Sequence, residues 1–139
     1  MNGRRWAWFE LERHVMRCRR REEPALLMLA RVPARNRATS QRLATCYRLT
    51  DSVAVARVGR HCEVVALFDD DGLDRATLEA RLHAAAGVEP VVAWARFPDD
   101  GVTLESLLLA ARMELRNLNG GAAWPARQSV LATPAVDGK

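Results

Sequence analysis

The chain has 139 residues, a length typical of one domain, and 49% of them are hydrophobic, enough for one continuous core. Its formal net charge is +4, and nearly all of the positive charge is arginine, since Lys139 is the only lysine. No apolar run approaches the roughly 20 residues of a membrane-spanning helix, and the charged amino terminus is not typical of a secretion signal. No basic patch carries the interleaved aromatics of single-stranded nucleic-acid sites. We therefore expect a cytoplasmic protein without nucleic-acid partners or direct membrane insertion.

The first part of the chain predicts a helix, a strand and a second helix. Residues 4–21 are predicted to be helical because apolar residues recur at spacings of three and four, at Trp8, Leu11, Val15 and Cys18. Pro24 then ends this helix, because the residue before proline disfavours the helical region. Residues 25–32 form a nearly uninterrupted apolar run, typical of a central strand covered on both faces. Residues 39–49 predict the second helix.

The segment 53–68 predicts a β-hairpin. Its two halves alternate apolar residues with small or polar ones, which is typical of half-buried strands. The pair Gly59-Arg60 lies between them, and glycine suits a tight turn because such turns need a residue with positive φ. An acidic turn, Asp69-Asp70-Asp71-Gly72, follows the hairpin. This run lacks the alternating ligand positions of a calcium loop, so a solvated turn is favoured over a cation site.

The remaining part of the chain predicts a helix, a strand and a strongly amphipathic helix. Residues 73–86 form the first of these, with Asp74 as N-cap and Gly87 as the closing residue. Residues 91–97 are a strand, and Thr103 caps the next helix, which ends near Asn119. A short final strand is predicted at residues 128–132. The whole order predicts an α+β fold, a ferredoxin-like split β-α-β sheet with helices on its faces and an N-terminal helix. The domain is expected to span residues 1–132, followed by a frayed tail at 133–139.

The three cysteines predict neither a disulfide framework nor a metal site. Cys18, Cys46 and Cys62 are odd in number and widely spaced, so reduced thiols are expected. His61 is adjacent to Cys62, but neighbouring strand residues point to opposite faces of the sheet. We therefore expect no metal and no other cofactor.

The chain resembles the GGDEF domains of diguanylate cyclases over most of its length. Residues 91–108 are similar to the family's strand, its P-x-D-G-x-T turn and the helix that follows. Residues 57–65 lie where the family has R-x-G-G-D-E-F-V-V. Residues 2–5 lie at its N-R-R helix start, and residues 127–130 at its closing strand. The resemblance implies the GGDEF fold, which is related to that of nucleotidyl cyclases.

The catalytic signature of this family is altered. Its five positions are occupied by Gly59, Arg60, His61, Cys62 and Glu63, and the first metal-binding aspartate corresponds to Ala30. The family needs paired carboxylates to hold two Mg²⁺ ions. A one-residue slip could move Glu63 into a metal position. It would also flip the following side chains and expose Val65 and Leu67, so it is not favoured. The resemblance therefore implies an inactive domain with no catalytic residues.

A product-binding motif of the family is retained. Arg48-Leu49-Thr50-Asp51 matches the family's Arg-x-x-Asp site for cyclic di-GMP, and Arg81 lies at the spacing of the helper arginine. In such sites arginine stacks on guanine and pairs with phosphate. Asp51 is two residues farther from the hairpin than in the family, so the approach to the strand must be longer or bulged. The alternative is that Asp51 caps a strand and Arg48 is a solvated surface residue.

These observations leave three functional hypotheses. The leading one is a catalytically inactive GGDEF-like cyclic di-GMP receptor or regulatory module in bacterial signalling, related to exopolysaccharide synthesis and acting on a protein partner. The alternative is a nucleotide-independent protein-protein interaction or dimerisation domain, with Trp6 and Trp124 as candidate anchors. The third is an active nucleotidyl cyclase, which the absence of paired carboxylates at residues 25–32 disfavours.

Overall fold

Four helices and four strands follow one another in the part of the chain that the computed structural model describes, residues 3–33, 37–47, 52–70 and 72–118. In chain order the elements are α1 (Gly3–Arg21), β1 (Ala25–Pro33), α2 (Arg37–Thr45), β2 (Ser52–Val58), β3 (His61–Asp69), α3 (Arg75–Ala86), β4 (Val91–Phe97) and α4 (Leu104–Leu118). The predicted final strand and tail lie outside these residues. None of the described helices combines the length and hydrophobicity needed to cross a membrane.

The strands form one four-stranded sheet in the order β2-β3-β1-β4. Strand β1 is antiparallel to both β3 and β4, and β2 is antiparallel to β3. Strands β1 and β2 therefore run in the same direction with β3 inserted between them. This is the split β-α-β arrangement, and it confirms the predicted α+β fold class.

Helices cover both faces of the sheet. One core contains residues of α1 and α4 together with Leu27 and Leu29 of β1, and we call this side the α1/α4 face. The other contains residues of α2 and α3 together with Met28 and Ala30, and we call it the α2/α3 face. Because β1 contacts a helix layer on each side, its residues are apolar apart from Arg31, as expected for a central strand.

Strand β3 is also buried on both faces, which corrects the expectation of a half-buried hairpin. Val64 and Ala66 lie in the α2/α3 core, whereas Val65 and Leu67 lie in the α1/α4 core. A slip of one residue would therefore move the β3 side chains of each core into the other core rather than into solvent. The expectation that it would expose Val65 and Leu67 is wrong. The turn itself is at Gly59-Arg60 as predicted, with Gly59 at a φ of 63°.

The helix boundaries follow the predicted caps, with one exception. Asp74 accepts a hydrogen bond from the Ala76 amide at 3.1 Å, and Gly87 closes α3 in the left-handed conformation. Helix α2, in contrast, ends at Thr45 rather than at residue 49. Tyr47 is buried beyond that end, because its ring packs edge-on against Phe68 at 5.2 Å between centroids.

Candidate functional site

The five residues of the altered signature separate into an exposed turn and two opposite faces of β3. Gly59 and Arg60 form the exposed turn, and His61 is the first residue of β3. Cys62 is buried on the α2/α3 face. Glu63, the next residue, is therefore on the α1/α4 side of the sheet. Of the three strand residues that follow the turn, Glu63 has a carboxylate, whereas His61 and Cys62 do not. These residues therefore provide no pair of carboxylates.

The carboxylate of Glu63 is bound within the protein. Its side chain is 1% exposed, and its Oε1 lies 3.3 Å from a guanidinium nitrogen of Arg112 on α4. Arg31 is directly opposite Glu63 in the β1–β3 ladder. Glu63 therefore belongs to a buried ion pair between the sheet and α4.

Ala30 and Cys62 occupy the α2/α3 face, where the resemblance locates metal-binding acids. Cys62 pairs with Val32, and Ala30 pairs with Val64, the residue two positions after Cys62. The Cys62 sulfur lies 3.2 Å from the Ser40 hydroxyl of α2. A methyl group and a thiol do not provide the hard oxygen ligands that Mg²⁺ requires.

His61 adds no negative charge to this end of the sheet. Partial burial lowers the pKa of His61, and the positive charge of Arg31 lowers it further. The neutral imidazole is favoured as a result. By the resemblance, the turn region thus has Arg60 in place of the second glycine, and His61 and Cys62 in place of the two acids.

Of the three predicted ligand-binding residues, the structure describes Arg81. It is exposed on α3, whereas Arg48 and Asp51 lie outside the described residues. The structure describes Tyr47 and Ser52, which flank the segment that carries them. The Tyr47 hydroxyl donates a hydrogen bond of 2.8 Å to the Leu78 carbonyl of α3, and Ser52 begins β2.

Arg81 also lies close to the end of α2. Burial raises the pKa of the Cys46 thiol, and the positive charge of Arg81 is among the influences that oppose this rise. Arg42 of α2 donates a hydrogen bond of 3.0 Å to the Ala85 carbonyl, which joins the same two helices. The side of α3 that carries Arg81 therefore adjoins the residues that precede Arg48.

A second cluster, at the opposite end of the sheet from the turn, was not predicted from the sequence. His14 and Cys18 of α1 converge on Asp69, the last residue of β3. His14 Nε2 lies 2.7 Å from Asp69 Oδ1, and its Nδ1 lies 2.9 Å from the Ser52 hydroxyl. The Cys18 sulfur lies 3.8 Å from Asp69 Oδ1. The i, i+4 spacing of His14 and Cys18 was a signal in the sequence, but nothing local joined it to Asp69.

The ionisable groups of this cluster affect one another. Burial raises the pKa of Cys18 to about 11, and the negative charge of Asp69 contributes to that rise. Burial also tends to raise the pKa of Asp69. The hydrogen bond and charge of His14, with the charge of Arg17, bring it below its usual value instead. Without a bound cation, the cluster therefore holds a thiol beside a carboxylate.

A surface cleft lies elsewhere on the described part of the chain. It is about 610 Å³ in volume and lies between the end of α1 and the end of β4, lined in part by Arg19, Phe97 and Val102. Arg96, which lines the cleft together with Arg19, is already bound to Asp70 at 3.1 Å. The cleft contains none of the signature residues, so we do not assign the functional site to it.

Comparison with known proteins supports the resemblance at the level of the fold. No protein-family model and no curated protein matches the sequence. Among solved structures, the chain is similar to a sensory box/GGDEF family protein from Caulobacter crescentus, with 18% identity and a TM-score of 0.62 over 84% of this chain and 91% of that one. It is also similar to the GGDEF domain of YfiN (or TpbB) from Pseudomonas aeruginosa, with 16% identity and a TM-score of 0.62 over 84% and 89% of the two chains.

Proposed function

We propose that this chain, which has the fold of GGDEF domains, is a catalytically inactive module of bacterial signalling that binds cyclic di-GMP. The ligand site would consist of Arg48, Asp51 and Arg81. The observation that carries the proposal is the junction between α2 and α3. There the residue before Arg48 is hydrogen-bonded to the helix that bears Arg81.

The position of Tyr47 supports this set of ligand residues. Leu78 and Arg81 are three residues apart and therefore neighbours on the surface of α3. The Tyr47 hydroxyl is bound to the Leu78 carbonyl, so the side chain of the residue before Arg48 reaches α3 one helical turn from Arg81. A ligand with two phosphates and two guanines suits such a site, because arginine forms bidentate pairs with phosphate and stacks on aromatic bases.

The inactivity of the module is proposed from the residues at the metal-binding positions. Ala30, His61 and Cys62 provide no carboxylate, and the nearest acid in the chain, Glu63, is paired with Arg112. Two-metal chemistry requires oxygen ligands that hold both ions.

Similar degenerate domains regulate exopolysaccharide export, so we propose a synthase complex as the partner of the ligand-bound form.

Isothermal titration with cyclic di-GMP tests ligand binding. We expect binding heat for the wild-type chain and a loss of at least about tenfold in affinity for Arg81→Ala, the change expected when a charge-assisted contact is removed. Arg116→Ala is the matched control, because Arg116 is an exposed arginine in the last turn of α4. An absence of heat at about 100 μM wild-type protein contradicts the receptor role.

A separate assay tests the proposed inactivity. The protein is incubated with GTP or ATP and Mg²⁺, and the products are separated by chromatography. We expect no cyclised nucleotide. Turnover that survives in Cys62→Ala but depends on Glu63 would show that a different set of ligands supports catalysis.

The second candidate function is a nucleotide-independent interaction domain. Large apolar side chains are exposed on both helices of the α1/α4 face, namely Phe9, Met16, Leu109 and Met113. Exposed apolar surface of this kind is typical of interfaces when it is contiguous. The Trp6 side chain lies outside the part of the chain that the structure describes, and so does the whole of Trp124. Light scattering over a concentration series, with Leu109→Gln/Met113→Gln as the comparison, detects self-association that is independent of nucleotide.

A further inference from the structure

We infer that His14, Cys18 and Asp69 form a binding site for a zinc-like divalent metal ion. The three residues come from two elements, α1 and β3, and their ligand atoms all lie within 4.8 Å of one another. They offer one nitrogen, one sulfur and one oxygen. The site shares no residue with the proposed nucleotide site and does not depend on it.

The distances suit tetrahedral coordination after a small adjustment. Zinc–ligand bonds of about 2.0–2.3 Å place neighbouring ligand atoms roughly 3.3–3.8 Å apart. The Cys18 sulfur and Asp69 Oδ1 are already 3.8 Å apart, whereas His14 Nε2 and Asp69 Oδ1 are at 2.7 Å. The His14 nitrogen and the Cys18 sulfur, which lie within 4.8 Å of each other, have to come to the same spacing, and the carboxylate has to move by about half an ångström or more. Asp69 is able to do so, because its side chain is 56% exposed.

The orientation of His14 is determined by Ser52. Without an ion, the Nε2–H of His14 donates to Asp69 Oδ1 at 2.7 Å. In the metal-bound tautomer, Nδ1 carries the proton and donates it to the Ser52 hydroxyl at 2.9 Å, and Nε2 presents its lone pair to the ion. Metal-binding histidines are typically held in this way by a partner on the other ring nitrogen. Ser52 is the first residue of β2, so the metal site joins α1, β2 and β3.

The ligand set selects among metals. A mixture of imidazole, thiolate and carboxylate suits Zn²⁺ or Co²⁺, whereas Mg²⁺ requires oxygen ligands only. His14 and Cys18 are buried and Asp69 is exposed, so water can complete the coordination from the side of Asp69. Metal binding releases the thiol proton of Cys18 to solvent, and the His14 Nε2 proton that bonds Asp69 moves to Nδ1 or, from a charged imidazole, to solvent. The two resulting negative charges, thiolate and carboxylate, balance the 2+ charge of the ion.

A titration of the full chain with Co²⁺ under reducing conditions tests this site. We expect one equivalent to bind with a thiolate-to-cobalt charge-transfer band, and Zn²⁺ to displace it. Cys18→Ser should abolish the band, and Asp69→Asn should weaken binding by at least about tenfold, as for the loss of a metal-binding group. The control variants are Cys46→Ser and His83→Gln, which remove a partly buried cysteine and an exposed histidine outside the cluster.

The same experiment distinguishes a metal site from a structural hydrogen-bond network. Thermal unfolding of each variant is recorded with and without Zn²⁺, because an ion that binds the folded state raises its stability. A zinc-dependent rise in the wild type that Asp69→Asn lacks supports the site. A band retained in Cys18→Ser overturns the assignment. So does an absence of the band in the folded wild-type chain at millimolar cobalt, since the cluster is then a hydrogen-bond network only.

Discussion

The hydroxyl of Tyr47 donates a 2.8 Å hydrogen bond to the backbone carbonyl of Leu78, and this bond joins the end of α2 to α3. Tyr47 follows the last residue of α2 by two positions and is 7% exposed. Its ring packs edge-on against Phe68 of β3. One side chain thus links two helices and the sheet, next to the segment that carries the Arg-x-x-Asp motif.

Tyr47→Phe should lower the free energy of unfolding by about 1 kcal/mol, because a buried carbonyl loses its donor while the ring contacts remain. Urea unfolding monitored by circular dichroism measures the change. In cyclic di-GMP titrations of the folded variant we also expect a weaker affinity, since the end of α2 is less firmly held to α3. Unchanged stability and affinity would show that this bond does not organise the junction.

Arg112→Met should be strongly destabilising because it takes a guanidinium away from a carboxylate that is 1% exposed. Removing one partner of a buried ion pair costs about 3 kcal/mol or more. The double variant Glu63→Leu/Arg112→Met should recover most of that loss, since no buried carboxylate then remains at this position. Equilibrium unfolding of the three proteins measures the effect. A single-variant cost below about 1 kcal/mol would contradict the structural role of the pair.

His61 should make the stability of the protein depend on pH. Its pKa in the folded state is lowered, by burial first and by Arg31 second, whereas in the unfolded chain it is about 6.5. Between these two values the unfolded state binds more protons, so stability falls as the pH falls through about 6.5.

The matched control for this dependence is His61→Gln, which removes the titrating group. Unfolding free energies between about pH 7.5 and 5.5 should therefore decline more steeply for the wild type than for His61→Gln. The comparison with His61→Gln isolates the contribution of His61, because the rest of the chain is the same in both proteins. Parallel pH profiles would show that His61 has the same pKa folded and unfolded.

Local sequence patterns were sufficient to predict the type and order of the described elements. Hydrophobic periodicity, the Asp74 cap, the Gly59 turn and the Gly87 helix end each act within a few residues, so they are readable without tertiary information. The strand Val91–Phe97 has the same limits in the structure as in the prediction. The end of α2 was misplaced because Tyr47 is held by distant partners, Leu78 and Phe68, rather than by its own helix.

The tertiary structure alone decided which distant side chains meet. His14 contacts Asp69 across 55 residues of sequence, and Glu63 contacts Arg112 across 49. Such contacts depend on strand register and on the rotation of each helix over the sheet, and both are set by packing among elements that are far apart in the chain. For the same reason, a local pattern was unable to reveal that β3 is buried on both faces, because burial depends on the layers that the rest of the chain places around it.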